Sequence, residues 1–214
     1  GTADTSRIRY TVHGQREGKI GPDPDDTGSA KLPAVKYTFN SWGQPYLVQS
    51  GTVNSLSDTD WTNFSEVSRS TTQYDTYGRP VRQKAGSSST DYQVSDVVYD
   101  SEGRLACTMQ RMDPAQWSTV ATSCTPPQTT GAYGPDRVTK KTYDTTSHRL
   151  KVVTTGYGTS AAADVQTFDY DNSDLLYSVK DAESNLPVYE HDGHGRVVKV
   201  DYPVATKGAG TAST

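Results

Sequence analysis

Alternation of apolar and polar residues predicts β-strands along most of the chain. Residues 7–13 place Ile8, Tyr10 and Val12 at every second position, the period of a strand with one buried face. The strand formers Val, Tyr and Thr dominate such runs, whereas the Leu- and Ala-rich runs of helices are nearly absent. The pattern therefore predicts an all-β protein.

The alternating runs come in pairs separated by short polar segments, which predicts consecutive antiparallel hairpins lying side by side as a curved strip of sheet. After the strand at 7–13, the predicted pairs are 34–39 with 44–53, 64–74 with 80–85, 93–99 with 104–111, 137–143 with 149–155, 165–170 with 175–180, and 186–191 with 197–201. Segments rich in Gly, Pro and Ser predict loops at 14–33, 54–62 and 86–90.

Three regions follow from this pattern. Residues 1–36 form a strand and a polar loop, residues 37–203 form the hairpin array, and residues 204–214 form a Gly/Ala/Thr tail. The array carries an insertion at about 107–135, which contains both cysteines, and residues 112–134 are predicted to project from the strip as a loop without strands.

One short motif recurs at the predicted turns. Residues 74–81 are Tyr-Asp-Thr-Tyr-Gly-Arg-Pro-Val, and residues 99–105 and 191–197 repeat the pattern Asp-x-x-Gly-Arg, with His191 in the place of Tyr in the latter. Residues 143–150 are one residue longer and lack the Gly, and residues 170–176 keep only Tyr-Asp and the apolar exit. Residues 39–46 are the most distant copy, with Phe, Asn and Gln for Tyr, Asp and Arg.

The motif has the chemistry of a hairpin turn. The Asp side chain can accept hydrogen bonds from backbone N–H groups two residues on, and the Gly supplies the positive φ that a short hairpin loop needs. Rings and guanidinium planes can stack between neighbouring hairpins. The candidate residues, all with a structural role, are Tyr74, Asp75, Gly78, Arg79, Tyr99, Asp100, Gly103, Arg104, Tyr143, Asp144, Arg149, Tyr170, Asp171, His191, Asp192, Gly195 and Arg196.

These copies resemble the RHS/YD repeat, written D-x-x-G-N-x-x-x-Y-x-Y-D-x-x-G-R-L. The fullest match begins at Asp181-Ala-Glu-Ser-Asn185, where Ser184 replaces the usual Gly, and ends at Val197. In bacterial Rhs polymorphic toxins and secreted YD-repeat wall proteins, and more distantly in teneurins, such repeats build a shell. The shell encloses a C-terminal toxin or forms the body of a cell-surface protein.

The resemblance implies a non-catalytic structural function: a segment of an RHS/YD β-shell that scaffolds or encapsulates a toxin, or builds a surface assembly. The implied partners are further repeats of a longer chain, with a C-terminal toxin as the possible cargo. Two alternatives stay open. An open strip has two unpaired edges and could be a self-assembling extracellular subunit that adds copies of itself. Exposed aromatics could instead make a carbohydrate-binding surface module.

Composition narrows the function classes. The net charge of −4 argues against nucleic acid as a partner, because its recognition needs a basic field. No stretch approaches the roughly 18 apolar residues of a membrane-spanning helix. The chain has no Met at position 1 and is expected to be a piece or a processed product of an exported bacterial protein.

Cys107 and Cys124 are the only cysteines, and no His lies near enough in sequence to complete a metal site. A disulfide closing a loop of this length would contribute about 3 kcal/mol, so we expect the pair to be bonded, with two free thiols as the alternative. A disulfide would favour an extracellular or cell-surface location.

No cofactor, metal or catalytic residue is expected. His191 and His194 flank Asp192, but both occupy positions of the repeated motif, which favours a structural role. Asp23, Asp25 and Asp26 suggest a loose calcium site, although the loop fails the EF-hand pattern. We find no nucleophile elbow, phosphate-binding loop or Cys–His pair, so the chain is not expected to be an enzyme.

Overall fold

The computed structural model describes residues 5–25, 28–127 and 132–202 of the 214-residue chain. The predicted all-β fold is confirmed: these residues form fourteen antiparallel strands in one sheet, one short α-helix, Asp58–Thr62 (α1), and one turn of 3-10 helix at Pro114–Gln116. The predicted tail at 204–214 lies outside the described residues, as does Asp26 of the acidic loop.

Each strand pairs with its neighbours in sequence, in the order β1 to β14. This order is the one expected of consecutive hairpins, because no connection has to cross the sheet. The strands are β1 (Arg7–Tyr10), β2 (Arg16–Ile20), β3 (Leu32–Phe39), β4 (Pro45–Val53), β5 (Ser65–Tyr74), β6 (Pro80–Gly86), β7 (Asp91–Tyr99), β8 (Leu105–Arg111), β9 (Arg137–Tyr143), β10 (Leu150–Thr155), β11 (Ala163–Tyr170), β12 (Leu176–Asp181), β13 (Val188–His191) and β14 (Val197–Asp201).

The chain divides into two compact units, Gly1–Asp96 and Val97–Thr214. In the first unit, α1 turns its Trp61 onto the sheet, where the indole joins a buried cluster with Ile20, Leu32, Ala34 and Val53. Gly18 leaves room for this ring, since a Cβ there would come within 2.3 Å of it. The helix thus adds one large aromatic side chain to a core whose other buried residues come from β2, β3 and β4.

In the second unit the cysteines form part of the core. Cys107 and Cys124 are bonded, and Cys107 is buried with Met109 and Val138. Ala121 and Tyr157 pack against this cluster from outside. The disulfide therefore ties the insertion to the middle of β8, where the aliphatic core is small.

The predicted loop at 112–134 contains no strand among its described residues, as expected, but it does not project from the sheet as predicted. The Arg111 guanidinium, at the end of β8, donates to the carbonyls of Gln116 and Thr119 at 3.0 and 2.9 Å, and the indole N–H of Trp117 donates back to the Arg111 carbonyl. Pro126 is buried against Gly158. Backbone carbonyls and one buried guanidinium thus fold the loop onto the sheet.

Two predicted loops are wrong in part. Residues 14–33 contain the strand β2, because Thr11-Val-His-Gly14 forms another hairpin turn before it. In this turn the Thr11 hydroxyl accepts the backbone N–H that an Asp carboxylate accepts in the motif. Residues 54–62 contain α1, whose N-cap Ser57 accepts from the Asp60 N–H at 3.1 Å. Both elements follow a hydroxyl-bearing residue, Thr11 or Ser57, whose side chain accepts a backbone N–H.

Candidate functional site: the hairpin turns

The turn at Asp100 shows the geometry of the repeated motif. The Asp100 N–H donates to the Arg104 carbonyl at 2.9 Å, and the Gly103 N–H donates to the Asp100 carbonyl at 3.0 Å. The Asp100 carboxylate oxygen Oδ1 accepts from the N–H groups of Glu102 and Arg104 at 3.0 and 2.9 Å. Gly103 has φ 80°, so a turn is followed by a left-handed residue, as in three-residue hairpin loops.

The same four hydrogen bonds recur at the other intact copies and at the most distant one. Gly78, Gly195 and Gly43 have φ 78°, 76° and 77°, as expected for a short hairpin loop. The turn-forming side chains Asp75, Asp192 and Asn40 each accept from two backbone N–H groups at 2.9–3.0 Å. The Asn40 turn shows that an amide oxygen fulfils this role as well as a carboxylate.

The copies without Gly keep the left-handed backbone. His148 and Asp174 have φ 60° and 63° in the turns that begin at Asp144 and Asp171. Ser184, which replaces the usual Gly of the repeat, has φ 69° in a turn that begins at Asp181. These residues carry a strain that Gly would not, so the hydrogen bonds of the turn outweigh the cost of the positive φ.

The second carboxylate oxygen of the Asp binds the Arg of the same motif. Asp75, Asp100 and Asp192 accept from the Nε atoms of Arg79, Arg104 and Arg196 at 2.8 Å. The hydrogen bond from the Arg196 side chain is the main cause that lowers the pKa of Asp192 below its ordinary value. In the Asn40 turn the pair becomes neutral, with the Asn40 amide donating to the Gln44 side chain.

Tyr and Arg connect successive hairpins. The hydroxyls of Tyr74, Tyr143 and Tyr170 donate at 2.9 Å to carbonyls of the preceding hairpin, those of Pro45, Leu105 and Leu150. The guanidinium carbons of Arg104 and Arg149 lie 4.3 and 5.3 Å from the ring centroids of Tyr143 and Tyr170. The stacking expected from the sequence is present at these two junctions.

Gln replaces Arg near the N-terminus and makes a different link. The Gln15 amide donates to the Gly43 carbonyl at 3.2 Å, and the Gln44 amide donates to the Gly78 carbonyl at 2.8 Å. The side chain that follows the left-handed residue therefore reaches the next hairpin in both versions of the motif.

Two buried ion pairs were missed by the sequence analysis. Arg82 and Asp96 face each other across β6 and β7 with a bidentate contact of 2.6 and 2.8 Å, and both side chains are almost fully buried. Arg111 and Asp136 form a second pair at 2.7 Å, and Asp136 also accepts from the Met112 N–H. Only the strand register brings these partners together, and alternation along one strand carries no such signal.

The candidate ligand sites have ordinary structural surroundings. His191 occupies the aromatic position at the end of β13, and the N–H of His194 donates to Asp192 within the turn. Asp23 and Asp25 accept backbone N–H groups of their own loop. In the described part of the chain no three His, Cys, Asp or Glu side chains are grouped so that they could hold a metal ion. No helix there is long and apolar enough to cross a membrane.

No protein-family model matches the chain, and no curated protein sequence matches it. Its structural neighbours are chains of Tc toxin complexes. The chain is similar to a chain of the TcdB2-TccC3-Cdc42 crystal structure, with 14% identity over 92% of this chain and 10% of that one, at a TM-score of 0.44. A chain of TcdB2-TccC3-TEV gives 14% identity, 94% and 10% coverage, and a TM-score of 0.42.

A chain of the Photorhabdus luminescens Tc holotoxin pore gives 12% identity, 96% and 14% coverage, and a TM-score of 0.33. The chain thus spans about a tenth of the length of the solved chains it resembles.

Proposed function

We propose that the chain is a non-catalytic structural segment of an RHS/YD-type β-shell, exported by a bacterium, that scaffolds or encloses a toxin or builds a surface assembly. One observation supports this most directly. One kind of turn joins the two strands of each hairpin from β1–β2 to β13–β14: the side chain of its first residue accepts backbone N–H groups, and a left-handed residue closes it. The β9–β10 turn is one residue longer and otherwise follows the same plan.

This geometry suits extension of a sheet. Four turns position a side chain that contacts the next hairpin, those of Gln15, Gln44, Arg104 and Arg149, so a further hairpin can add to the array without a new kind of contact. Its Asp residues are engaged by turn N–H groups and the Arg of the motif, which supports a structural role for them.

A dilution series monitored by light scattering and by hydrogen exchange tests the proposal. A shell segment on its own should expose rapidly exchanging edge strands and gain protection only within a longer protein. A self-assembling subunit, the alternative, should form regular oligomers of its own. A monomer that does not associate, with fully protected edge-strand amides, would contradict both.

A carbohydrate-binding module remains the second candidate, favoured by one feature of the first unit. Trp42 and Tyr77 lie at adjacent turns and are 60% and 81% exposed. The Trp42 ring comes within 3.4 Å of the point where a Cβ on Gly78 would lie, so the two turns present neighbouring flat surfaces. Titration with oligosaccharides should quench Trp fluorescence in the parent chain and not in a Trp42→Ala variant if this candidate is right.

A further inference from the structure

The contacts between successive hairpins follow one register rule. The carbonyl that accepts the Tyr hydroxyl always belongs to the second residue after the left-handed one: Pro45 after Gly43, Leu105 after Gly103, and Leu150 after His148. The strand register agrees at each junction, where Leu47, Cys107 and Val152 face Thr71, Lys140 and Thr167. Each of these facing residues lies three positions before the Tyr of its strand.

A hairpin therefore has a donor side and an acceptor side for its neighbours. Its return strand offers the carbonyl and, at Arg104 and Arg149, a guanidinium that covers the Tyr ring of the next hairpin. Its first strand offers the Tyr to the hairpin before it. The two sides differ, so the array has a direction.

The return strand β14 offers the same elements to a partner that the described residues do not contain. Within them, β14 pairs with β13 alone. Val197 is the second residue after Gly195, as Leu105 is after Gly103, and it is exposed. The Arg196 side chain binds Asp192, is 75% exposed, and no ring of the described residues covers it.

We propose that the open edge of β14 binds the first strand of a further Tyr-Asp hairpin. The partner's Tyr stacks on the Arg196 guanidinium and donates its hydroxyl to the Val197 carbonyl. This inference rests on the proposed function, because it names the partner that continues the array. It also fixes the direction in which the array grows.

The charge of Lys199 favours some partner hairpins over others at the edge of β14. Lys199 corresponds in register to Leu47, Cys107 and Val152, so it faces the residue three before the partner's Tyr. A second copy of this chain, docking through β1 and Tyr10, would place Arg7 there, and like charges directly opposite are destabilising. An uncharged or acidic residue at that position, such as Thr167 of β11, fits Lys199. The Lys199 ammonium is already bound by Asp201 at 3.0 Å and Glu190 at 3.4 Å, which weakens the repulsion, and charge thus favours a hairpin other than the chain's own β1 without excluding β1.

The chain itself provides a suitable probe. Tyr202 follows Gly195 by the same number of residues as Thr155 follows His148. In the extended chain, a second copy of residues 156–181 is therefore attached directly after Tyr202 and replaces residues 203–214. Its first strand then meets β14 in the register that β11 has with β10. Hydrogen exchange of the β14 amides is measured in this extended chain and in the parent. We expect the extension to slow their exchange about tenfold, or about 1.4 kcal/mol.

Three variants of the extended chain make the test specific. Arg196→Gln, or Tyr170→Phe in the attached copy, should lose part of the protection. Tyr177→Phe in the attached copy should keep it, because Tyr177 lies on the strand away from β14. Circular dichroism of each variant checks that the rest of the sheet is folded.

Other results would overturn the inference. Unchanged exchange on extension, or full protection retained in the Arg196→Gln and Tyr170→Phe variants, would show that β14 does not bind a Tyr hairpin in this way. Slow exchange of the β14 amides already in the parent chain would also contradict the inference. If that protection does not depend on concentration, residues 203–214 cover the edge of β14. If it rises with concentration, a second copy of the chain covers it. A shell seen by electron microscopy of the longer protein would still support the proposed function after such a failure.

Discussion

At the scale of single residues, the two glycines of the Asp192 turn separate the effect of backbone conformation from the effect of the space available for a side chain. Gly195 has φ 76°, whereas Gly193, in the same turn, lies outside the left-handed region. A Cβ on Gly193 would meet no atom within 4 Å, and one on Gly195 would make only ordinary contacts with Leu175. The two positions therefore differ in backbone conformation and not in the space around them.

Gly195→Ala should lower the free energy of unfolding by about 1–2 kcal/mol, because a Cβ in the left-handed region clashes with its own backbone. Gly193→Ala is the matched control and should have no such cost. Urea unfolding of both variants measures the difference. Equal effects of the two substitutions would show that the positive φ is not what the motif selects.

The opposite substitution should stabilise the chain where the Gly is missing. Ser184 has φ 69°, so Ser184→Gly removes a left-handed side chain and should raise the free energy of unfolding by up to about 1 kcal/mol, after the entropic cost of Gly. Ser173→Gly, in the Asp171 turn and without a positive φ, should instead destabilise. A loss of stability in Ser184→Gly would mean that its hydroxyl contributes more than the strain costs.

The turn carboxylates make stability depend on pH. Hydrogen bonds from Arg196 lower the pKa of Asp192, and the Ser147 and Thr146 N–H groups lower that of Asp144. Folded-state pKa values below the unfolded value of about 3.9 mean that the unfolded chain takes up protons first. The contribution of these groups is therefore complete above that value and is lost as the pH falls through the folded pKa.

We expect the thermal midpoint to fall as the pH is lowered below about 4. In Asp192→Asn the fall of the thermal midpoint should be smaller, because an amide does not titrate. The amide oxygen still accepts the backbone N–H groups of the turn, as that of Asn40 does in its own turn. Thermal melts between neutral and acidic pH measure both slopes. An identical slope in the variant would contradict a role for the Asp192 carboxylate charge.

Turns were predictable from the sequence where the motif was intact and less so where it was degraded. The Asp-x-x-Gly spacing predicted the positive φ of Gly78, Gly103 and Gly195, because that spacing has one good hairpin solution. The Thr11 turn was missed, since a hydroxyl in place of a carboxylate leaves only Gly14 as a signal. The structural role of the motif in a larger shell stays a prediction.

At the scale of strands and hairpins, the pairing of neighbours decides which polar residues can be buried. Arg82 and Asp96 are far apart in sequence and lie opposite each other only because β6 and β7 pair in one register. Each would look like a solvent-exposed residue in its own strand. Sequence patterns predicted both strands and placed their hairpins side by side, but they did not predict the register between β6 and β7, so the buried pair could not be anticipated.

Asp96→Ala should lower the free energy of unfolding by about 3–5 kcal/mol, because it leaves the Arg82 guanidinium buried without its carboxylate. The double variant Arg82→Met with Asp96→Leu should cost much less, since no charge stays buried. Chemical denaturation of the single and double variants tests this. A double variant no more stable than Asp96→Ala would indicate that the pair holds the register of β6 and β7.

At the scale of the whole molecule, stability in a hairpin array is distributed among neighbouring pairs of strands and need not be uniform. In the second unit, β9 and β10 pair from Tyr143 opposite Leu150 to Thr139 opposite Thr155. The strands β8 and β9 carry the buried cluster that includes the disulfide. The connection from β12 to β13 has fewer contacts: one facing pair, Ser178 and Val188, a hydrogen bond from the Val179 N–H to the Pro187 carbonyl at 3.3 Å, and the Asp181 turn. The last hairpin, β13–β14, is therefore held mainly by its own turn and by the pairing of its two strands.

We expect the amides of β13 and β14 to exchange through a local opening whose free energy lies well below that of global unfolding, while those of β8 and β9 exchange only on global unfolding. Native-state hydrogen exchange in low denaturant separates the two cases, because local opening exposes little surface and responds weakly to denaturant. The β9–β10 amides provide the internal reference. If β13 and β14 follow the global free energy, the single facing pair would be sufficient to couple the last hairpin to the sheet. If they open locally as expected, a hairpin bound at the β14 edge should stabilise them most, because the same opening would then have to break two junctions.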